Sequence, residues 1–216
     1  MGLLSKIFNS SGAPKKGAKQ KVVKNGDWEV HIREDGTPHW FYKSGREWFS
    51  ADETWASPSK SFFLHMGFDG VGNSGLALTT KDEGLKRKAT EYGVDAALVL
   101  EDGTAYALSA DDAVLYTLTP EKISQKTLGD ERADAFLLTS RICIIATEGD
   151  DSVTIKAIDL STGKSWRKSV GHGEAEELQD GSLRMTQISE GVEGIEVITP
   201  DGVPHSFSVD GQPIKK

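Results

Sequence analysis

The chain has 216 residues, with 33 acids, 25 bases and a net charge of −8. That length suits one large all-β domain or two small ones, and the acidic balance argues against a general nucleic-acid binder. The single cysteine, Cys143, excludes an internal disulfide and a cysteine-based zinc site, and no apolar run is long enough to be a membrane-spanning helix.

The charge is unevenly spread. Residues 1–26 hold Lys6, Lys15, Lys16, Lys19, Lys21 and Lys24 and no acid, which leaves 19 bases against 33 acids in the remainder. At the tip, Leu3, Leu4, Ile7 and Phe8 fall at helical spacing around Ser5 and Lys6. Eight residues cannot hold a helix alone in water, so this stripe needs a surface. A groove on a protein partner would take it as helix anchors, and an anionic membrane would draw on the lysines. Met1-Gly2 resembles the start of an acylation site, but Lys6 stands where a myristoylation pattern wants Ser or Thr. Residues 9–20 are small, polar and basic, which reads as a flexible linker. The expected organisation is a basic flexible arm over 1–19 and one domain over 20–216. The tip is too short for a secretory signal. The expected location is therefore the cytoplasm, with peripheral membrane attachment through Leu3, Leu4, Ile7, Phe8, Lys6, Lys15 and Lys16 as an option.

The first hairpin is expected over Asp27–Tyr42, DWEVHIREDGTPHWFY. A two-residue turn at Asp35-Gly36 would pair Ile32 with His39 and His31 with Trp40. Side chains alternate along a strand. Trp28, Val30, Ile32, His39 and Phe41 would then share one face, with His31, Trp40 and Tyr42 on the other. Four of the five tryptophans, Trp28, Trp40, Trp48 and Trp55, lie in this early region. They either fill a core or form a binding surface, since Trp and Tyr dominate binding hot spots. Trp40, Tyr42, His31, Trp48 and Trp55 are the candidate binding residues.

Val94 to Leu128 is the clearest structural unit. Ala96–Leu100, Thr104–Leu108, Val114–Thr119 and Ile123–Leu128 are short runs rich in Val, Leu, Tyr and Thr. Asp102-Gly103, Asp111-Asp112 and Pro120 separate them, which reads as a four-stranded antiparallel meander. Comparable strands recur along the chain: GLALTT, VLYTLT, VTIKAID and IEVIT end at Thr80, Thr119, Asp159 and Thr199, each followed by a turn. Upstream of them lie inner runs at Ser61–Phe68, Ala96–Leu100, Ala135–Ser140 and Ala175–Leu178. The last hairpin, IEVITPDGVPHSF, repeats the text of the first, WEVHIREDGTPHWF. Asp35 and Asp201 are 166 residues apart, about four periods of the length of a four-stranded propeller blade. The units fall at about 20–56, 57–92, 93–131, 132–172 and 173–212.

Two units carry a family resemblance. Asp102-Gly-Thr-Ala-Tyr-Ala-Leu-Ser-Ala110 with Val114-Leu-Tyr116 is one, and Ile155-Lys-Ala-Ile-Asp-Leu-Ser-Thr-Gly-Lys-Ser-Trp166 is the other. They resemble the repeats of pyrroloquinoline-quinone-type β-propellers. The resemblance implies a propeller fold and no particular activity. The tryptophan docking motif of those repeats is matched only at Trp166, and no cofactor-binding residue carries over.

The chemistry-bearing residues do not converge in the sequence. His31 and His39 would sit on opposite faces and lack a third ligand, so no metal site is expected. The acidic turns Asp111-Asp112, Asp130-Glu131, Glu148 to Asp151 and Glu174 to Glu177 lack the spacing of a calcium loop and read as solvated carboxylates. Phe68 to Gly75 is Gly-rich but lacks the Lys-Ser/Thr of a phosphate loop. Cys143, within Arg141-Ile-Cys-Ile-Ile145, reads as a buried inert thiol. The expectation is an all-β chain, a small β-propeller of about five four-stranded blades. Four blades or a two-sheet antiparallel β-sandwich are the alternatives. The expected role is a non-enzymatic interaction module or scaffold with an unknown protein partner, no cofactor and no nucleic acid. A propeller glycosidase or lyase acting on a carbohydrate is the rival reading.

Overall fold

The computed structural model describes the backbone of residues 22–25, 28–32, 38–44, 47–69, 74–80, 84–90, 93–191 and 194–214. Side chains are described over 53–68, 74–80, 90, 93–191 and 194–214. Within these residues the chain is all β. The first sheet joins β1 (Val22–Asn25), β2 (Trp28–Ile32), β3 (Pro38–Ser44), β4 (Glu47–Ala56), β5 (Phe62–Asp69), β6 (Ser74–Thr80) and β7 (Gly84–Ala89) in chain order. The second joins β8 (Ala96–Val99), β9 (Ala105–Ser109), β10 (Val114–Leu118) and β11 (Ile123–Thr127). The third joins β12 (Ala135–Leu138), β13 (Ile142–Glu148), β14 (Ser152–Asp159) and β15 (Ser165–Gly171). The fourth joins β16 (Gln187–Glu190), β17 (Ile195–Ile198) and β18 (Pro204–Phe207). Neighbours in each sheet are consecutive in sequence and antiparallel, so each sheet is a meander.

Stacking explains why these strands are apolar on both faces. Along β10, Val114, Tyr116 and Leu118 pack with Leu64, Met66, Leu76 and Leu78 of the first sheet. The alternate residue, Leu115, packs with Cys143, Ile145 and Ile158 of the third sheet. The third sheet repeats the pattern: its other face, with Ile144, Val153 and Ile155, packs on Ile195, Val197 and Phe207 of the fourth. A period of two therefore delivers alternate residues to two different cores. The innermost strands meet around one axis, with β4 and β5 against β8, β8 against β12, and β12 against β16. This is the arrangement of a small β-propeller, which buries both faces of each blade.

Two expectations change. The units expected at 20–56 and 57–92 are not separate sheets, because β4 pairs directly with β5 along Ala51 to Ala56. In the last unit the innermost strand is β16, not Ala175–Leu178. That acidic stretch folds instead into a short hairpin in which Glu177 bridges Leu183 and the Leu178 N–H donates to Ser182 O. The innermost position goes to Gln187–Glu190, whose Ile188 packs on the core between the third and fourth sheets.

The register of the repeated hairpins is also one residue away from the expectation. Val197 pairs with His205 and Ile198 with Pro204. In the first copy His31 pairs with His39 and Ile32 with Pro38. The cause is visible in the loop Thr199–Val203. The Thr199 N–H donates to Val203 O at 3.1 Å, the Gly202 N–H donates to Thr199 O at 2.9 Å, and Gly202 has φ +79°. Only the glycine is left-handed, so Pro200-Asp201-Gly202 is a three-residue loop and not a two-residue Asp-Gly turn. The same pattern closes Leu100–Thr104, Leu178–Ser182 and Ser208–Gln212 around Gly103, Gly181 and Gly211. Asp35-Gly36 lies outside the described residues. In the observed register His31 pairs with His39, Val30 with Trp40 and Trp28 with Tyr42.

Candidate functional site

At one end of the stack the β13–β14 hairpin, the β15–β16 connection and the β17–β18 hairpin are tied together by polar contacts. The His172 N–H donates to Asp151 O at 3.0 Å. Its ring nitrogens face two carbonyl oxygens, Nδ1 at 2.8 Å from Gly173 O and Nε2 at 3.1 Å from Gly149 O. A carbonyl only accepts, so both contacts are satisfied when both nitrogens carry protons. The Gly173 carbonyl is the main cause holding the His172 pKa above its ordinary value; the Gly149 carbonyl and the charges of Asp201 and Glu148 add to it, against some desolvation. Asp201 locks the third side. Its carboxylate accepts from the Gly173 N–H at 2.8 Å and from Thr199 Oγ1 at 2.7 Å, and these bonds hold its pKa down to about 2.

The connection itself runs through a second hairpin. The Glu176 N–H donates to Pro200 O and the Arg184 N–H to Glu176 O, both at 2.8 Å. Arg184 Nε sits 2.8 Å from Glu176 Oε2. Thr186 is anchored from the third sheet, its N–H donating to Glu148 Oε1 at 2.6 Å. These bonds hold Leu183, Met185 and Val203 in water, at 60%, 54% and 45% exposure. They are three of the five large apolar side chains that the described residues expose. Glu174, Glu176, Glu177, Asp180 and Asp201 surround them in sequence.

The residues singled out from sequence fall elsewhere. His31, Trp40, Tyr42 and Trp48 lie on β2, β3 and β4, and their side chains are outside the described part. Trp55 is half-buried and packs on the core between the first and second sheets. Leu3, Leu4, Lys6, Ile7, Phe8, Lys15 and Lys16 lie outside the described residues. His172, Leu183, Met185 and Val203 were not read as functional. The one sequence signal is that Leu183 and Met185 stand in a connection rich in acids.

Other reactive groups are tied up or inert. His65 is fully buried, with Nδ1 2.9 Å from Thr54 Oγ1 and Nε2 2.9 Å from Thr79 Oγ1. Burial pushes the Cys143 thiol up to about 12. Among the described residues no three His, Cys, Asp or Glu side chains converge as a metal site.

No known family model matches this chain, and no curated protein does. Solved structures show some likeness. The WD40 domain of Pan2 from Neurospora crassa is 12% identical with a TM-score of 0.40, over 90% of this chain and 68% of that one. A eukaryotic initiation factor is 9% identical with a TM-score of 0.47, over 93% and 56%. TolB from Acinetobacter baumannii is 14% identical with a TM-score of 0.39, over 87% and 53%. The chain thus spans little more than half the length of the latter two. The propeller-type repeat fold rests on the sheet order and the three cores described above.

Proposed function

We propose that this protein is a non-enzymatic interaction module that binds a protein partner through the 175–185 and 199–203 hairpins. The exposure of Leu183, Met185 and Val203 carries this reading. The stacked sheets put apolar side chains into three cores, so three large apolar groups held in water by hydrogen-bonded hairpins suit a docking surface. The acids around them favour a partner segment that is basic as well as apolar. Among the described residues the carboxylates with displaced pKa values, Asp159, Asp180 and Asp201, all move down. Hydrogen-bonded turn acids behave in that way, whereas a glycosidase acid needs its pKa raised. The pyrroloquinoline-quinone-type character of the repeats around Asp102 and Trp166 belongs to this reading as a description of blade architecture only.

The test pairs Leu183→Glu and Met185→Glu with affinity capture from the native cell. A partner held by the wild-type chain and released by both variants, with an unchanged melting temperature, supports the module. Equal retention by all three proteins overturns it. The basic arm is proposed to position the protein, in the cytoplasm or on an anionic membrane, and Trp40, Tyr42, His31 and Trp48 are proposed as a further contact region. Co-sedimentation of the full chain and a chain starting at Asp27 with anionic vesicles decides the membrane part.

A further inference from the structure

The second and third sheets part at the same end of the stack, leaving a cleft of about 220 Å³. One wall is the third sheet, which contributes Thr147, Thr154, Lys156 and Arg167; the other is the connection from the second sheet, with Asp130 and Glu131. Register explains the first wall. Thr147 pairs with Thr154, and Lys156 pairs with Arg167. Each pair lies side by side on one face of the sheet, about 5 Å apart.

Two cations directly opposite one another repel, and a chain ordinarily answers with an acid between them. Here three acids, Asp130, Glu131 and Glu148, also line the cleft, and among the described residues none of them pairs with either cation. Among the described residues, Lys156 and Arg167 make no ion pair or hydrogen bond, and the hydroxyls of Thr147 and Thr154 make none. Lys156 is half-buried, and its ammonium has no acceptor among the described residues. Gly129 makes the room for it, since a Cβ there would stand 3.2 Å from Lys156 Nζ. Asp130 and Glu131 face the same space with carboxylates that the described residues leave without donors.

Four unengaged donors on one wall and two unengaged acceptors on the other define a ligand with matching ends. We propose that this cleft binds a small hydroxylated organic anion, whose carboxylate or phosphate lies between Lys156 and Arg167 and whose hydroxyls donate to Asp130 and Glu131. The threonine hydroxyls donate to the same anionic group. The cleft is below the range that takes drug-sized ligands, which fits a single sugar acid or sugar phosphate. The proposed ligand contacts use none of the residues of the partner surface, and the cleft adjoins the His172 clamp through Glu148 and Gly149.

The experiment is calorimetric titration of the full chain with D-glucuronate, a hexose monophosphate, inorganic phosphate and glucose, at low salt. Binding of the glucuronate or the hexose phosphate, with glucose silent, is the expected result, and which of the two binds assigns the anion. Lys156→Gln and Arg167→Gln should each weaken that binding roughly tenfold or more, the scale of a hydrogen bond to a charged group. Asp130→Asn should weaken the sugar anion, whose hydroxyl loses its acceptor, while inorganic phosphate binds no more weakly because a repelling carboxylate has gone. The melting temperatures of the Gln variants should hold or rise, because each removes a repelling charge. Arg167 is exposed, so its variant remains a valid probe if the Lys156 change perturbs folding. Silence of both sugar anions, or equal binding by wild type and both Gln variants, overturns the site. Inorganic phosphate binding as tightly as the sugar anions overturns the role given to Asp130 and Glu131.

Discussion

Trp166 on β15 of the third sheet lies against Gly211 beyond the end of the fourth. The indole N–H donates to Val209 O at 2.8 Å, and a Cβ on Gly211 would fall 2.6 Å from the indole Cδ2. The same ring packs on Phe207 with centroids 5.8 Å apart. Phe62 of the first sheet treats Gly103 of the second in the same way, with a Cβ there falling 2.7 Å from Phe62 Cε1. In both cases an aromatic ring from one sheet sits on the glycine of an Asp-Gly loop in the next, tying neighbouring blades. Gly211 has φ +82°, so a side chain there is strained even before the ring is met. Gly211→Ala is expected to destabilise by about 2 kcal/mol or more, and Trp166→Phe by about 1 kcal/mol for the lost hydrogen bond. Urea unfolding of the two variants checks both values.

Gly194 makes a different demand. A Cβ at this position would stand 2.1 Å from Phe207 O, an atom of the β18 backbone. No rotamer change relieves that contact, so β17 and β18 must separate. Gly194→Ala should cost about 3 kcal/mol, at the upper end of overpacking penalties. Thermal unfolding of Gly194→Ala beside Gly163→Ala, whose added Cβ would meet nothing within 4 Å, separates the steric effect from backbone strain at Gly163.

The His172 clamp gives the molecule a pH dependence with a defined sign. The folded-state pKa is raised above the ordinary 6.5, so the protonated clamp stabilises fully below that value and is lost as pH rises through the folded pKa. Stability should therefore decline on going from mildly acidic to mildly basic pH, and His172→Gln should flatten that limb. Asp201 acts in the opposite direction. Its folded pKa is lowered from 3.8 to about 2, so its contribution is present above the ordinary value and disappears as pH falls through about 2. Asp201→Ala should remove part of the acid limb. Denaturation midpoints across pH for the three proteins test both signs.

His205 tests the corrected register. It pairs with the fully buried Val197, and its Nε2 is buried with no hydrogen-bond partner. A buried polar atom without a partner is a cost, so His205→Leu should be neutral or mildly stabilising. His205→Asp should destabilise by about 1–3 kcal/mol, because it puts a charge where the imidazole lacks an acceptor or donor. Chemical denaturation curves showing the same loss for both changes would contradict this account.

Much of the molecule was legible along the chain. The four runs between Ala96 and Leu128 became β8 to β11, and the runs around Ala135 and Val153 became strands of the third sheet. Strand pairing there is between sequence neighbours, and the second and third sheets each give alternate residues to a core on either face. Local alternation of Val, Leu, Ile and Tyr was therefore sufficient to mark the strands. Cys143 in its apolar run could be anticipated for the same reason, whereas Trp166 is marked by the resemblance of its repeat and not by alternation.

The tertiary structure decided the remainder. An Asp-Gly pair is compatible with a two-residue or a three-residue loop, and only the hydrogen bonds closing Thr199 to Val203 show that the glycine alone is left-handed. That single residue of loop length moved His205 from Ile198 to Val197. Where one sheet ends is equally non-local: Ala56 and Phe63 pair because the first sheet continues through them, and no pattern in either strand says so. The partner surface and the cleft depend on the same kind of information. Arg167 faces Lys156 because of register, and Leu183 and Met185 remain in water because Glu176 hydrogen-bonds to Pro200 and Arg184 and leaves them no core to enter. A sequence states which side chains are apolar or charged; which of them go unpartnered is settled only when distant strands are brought side by side.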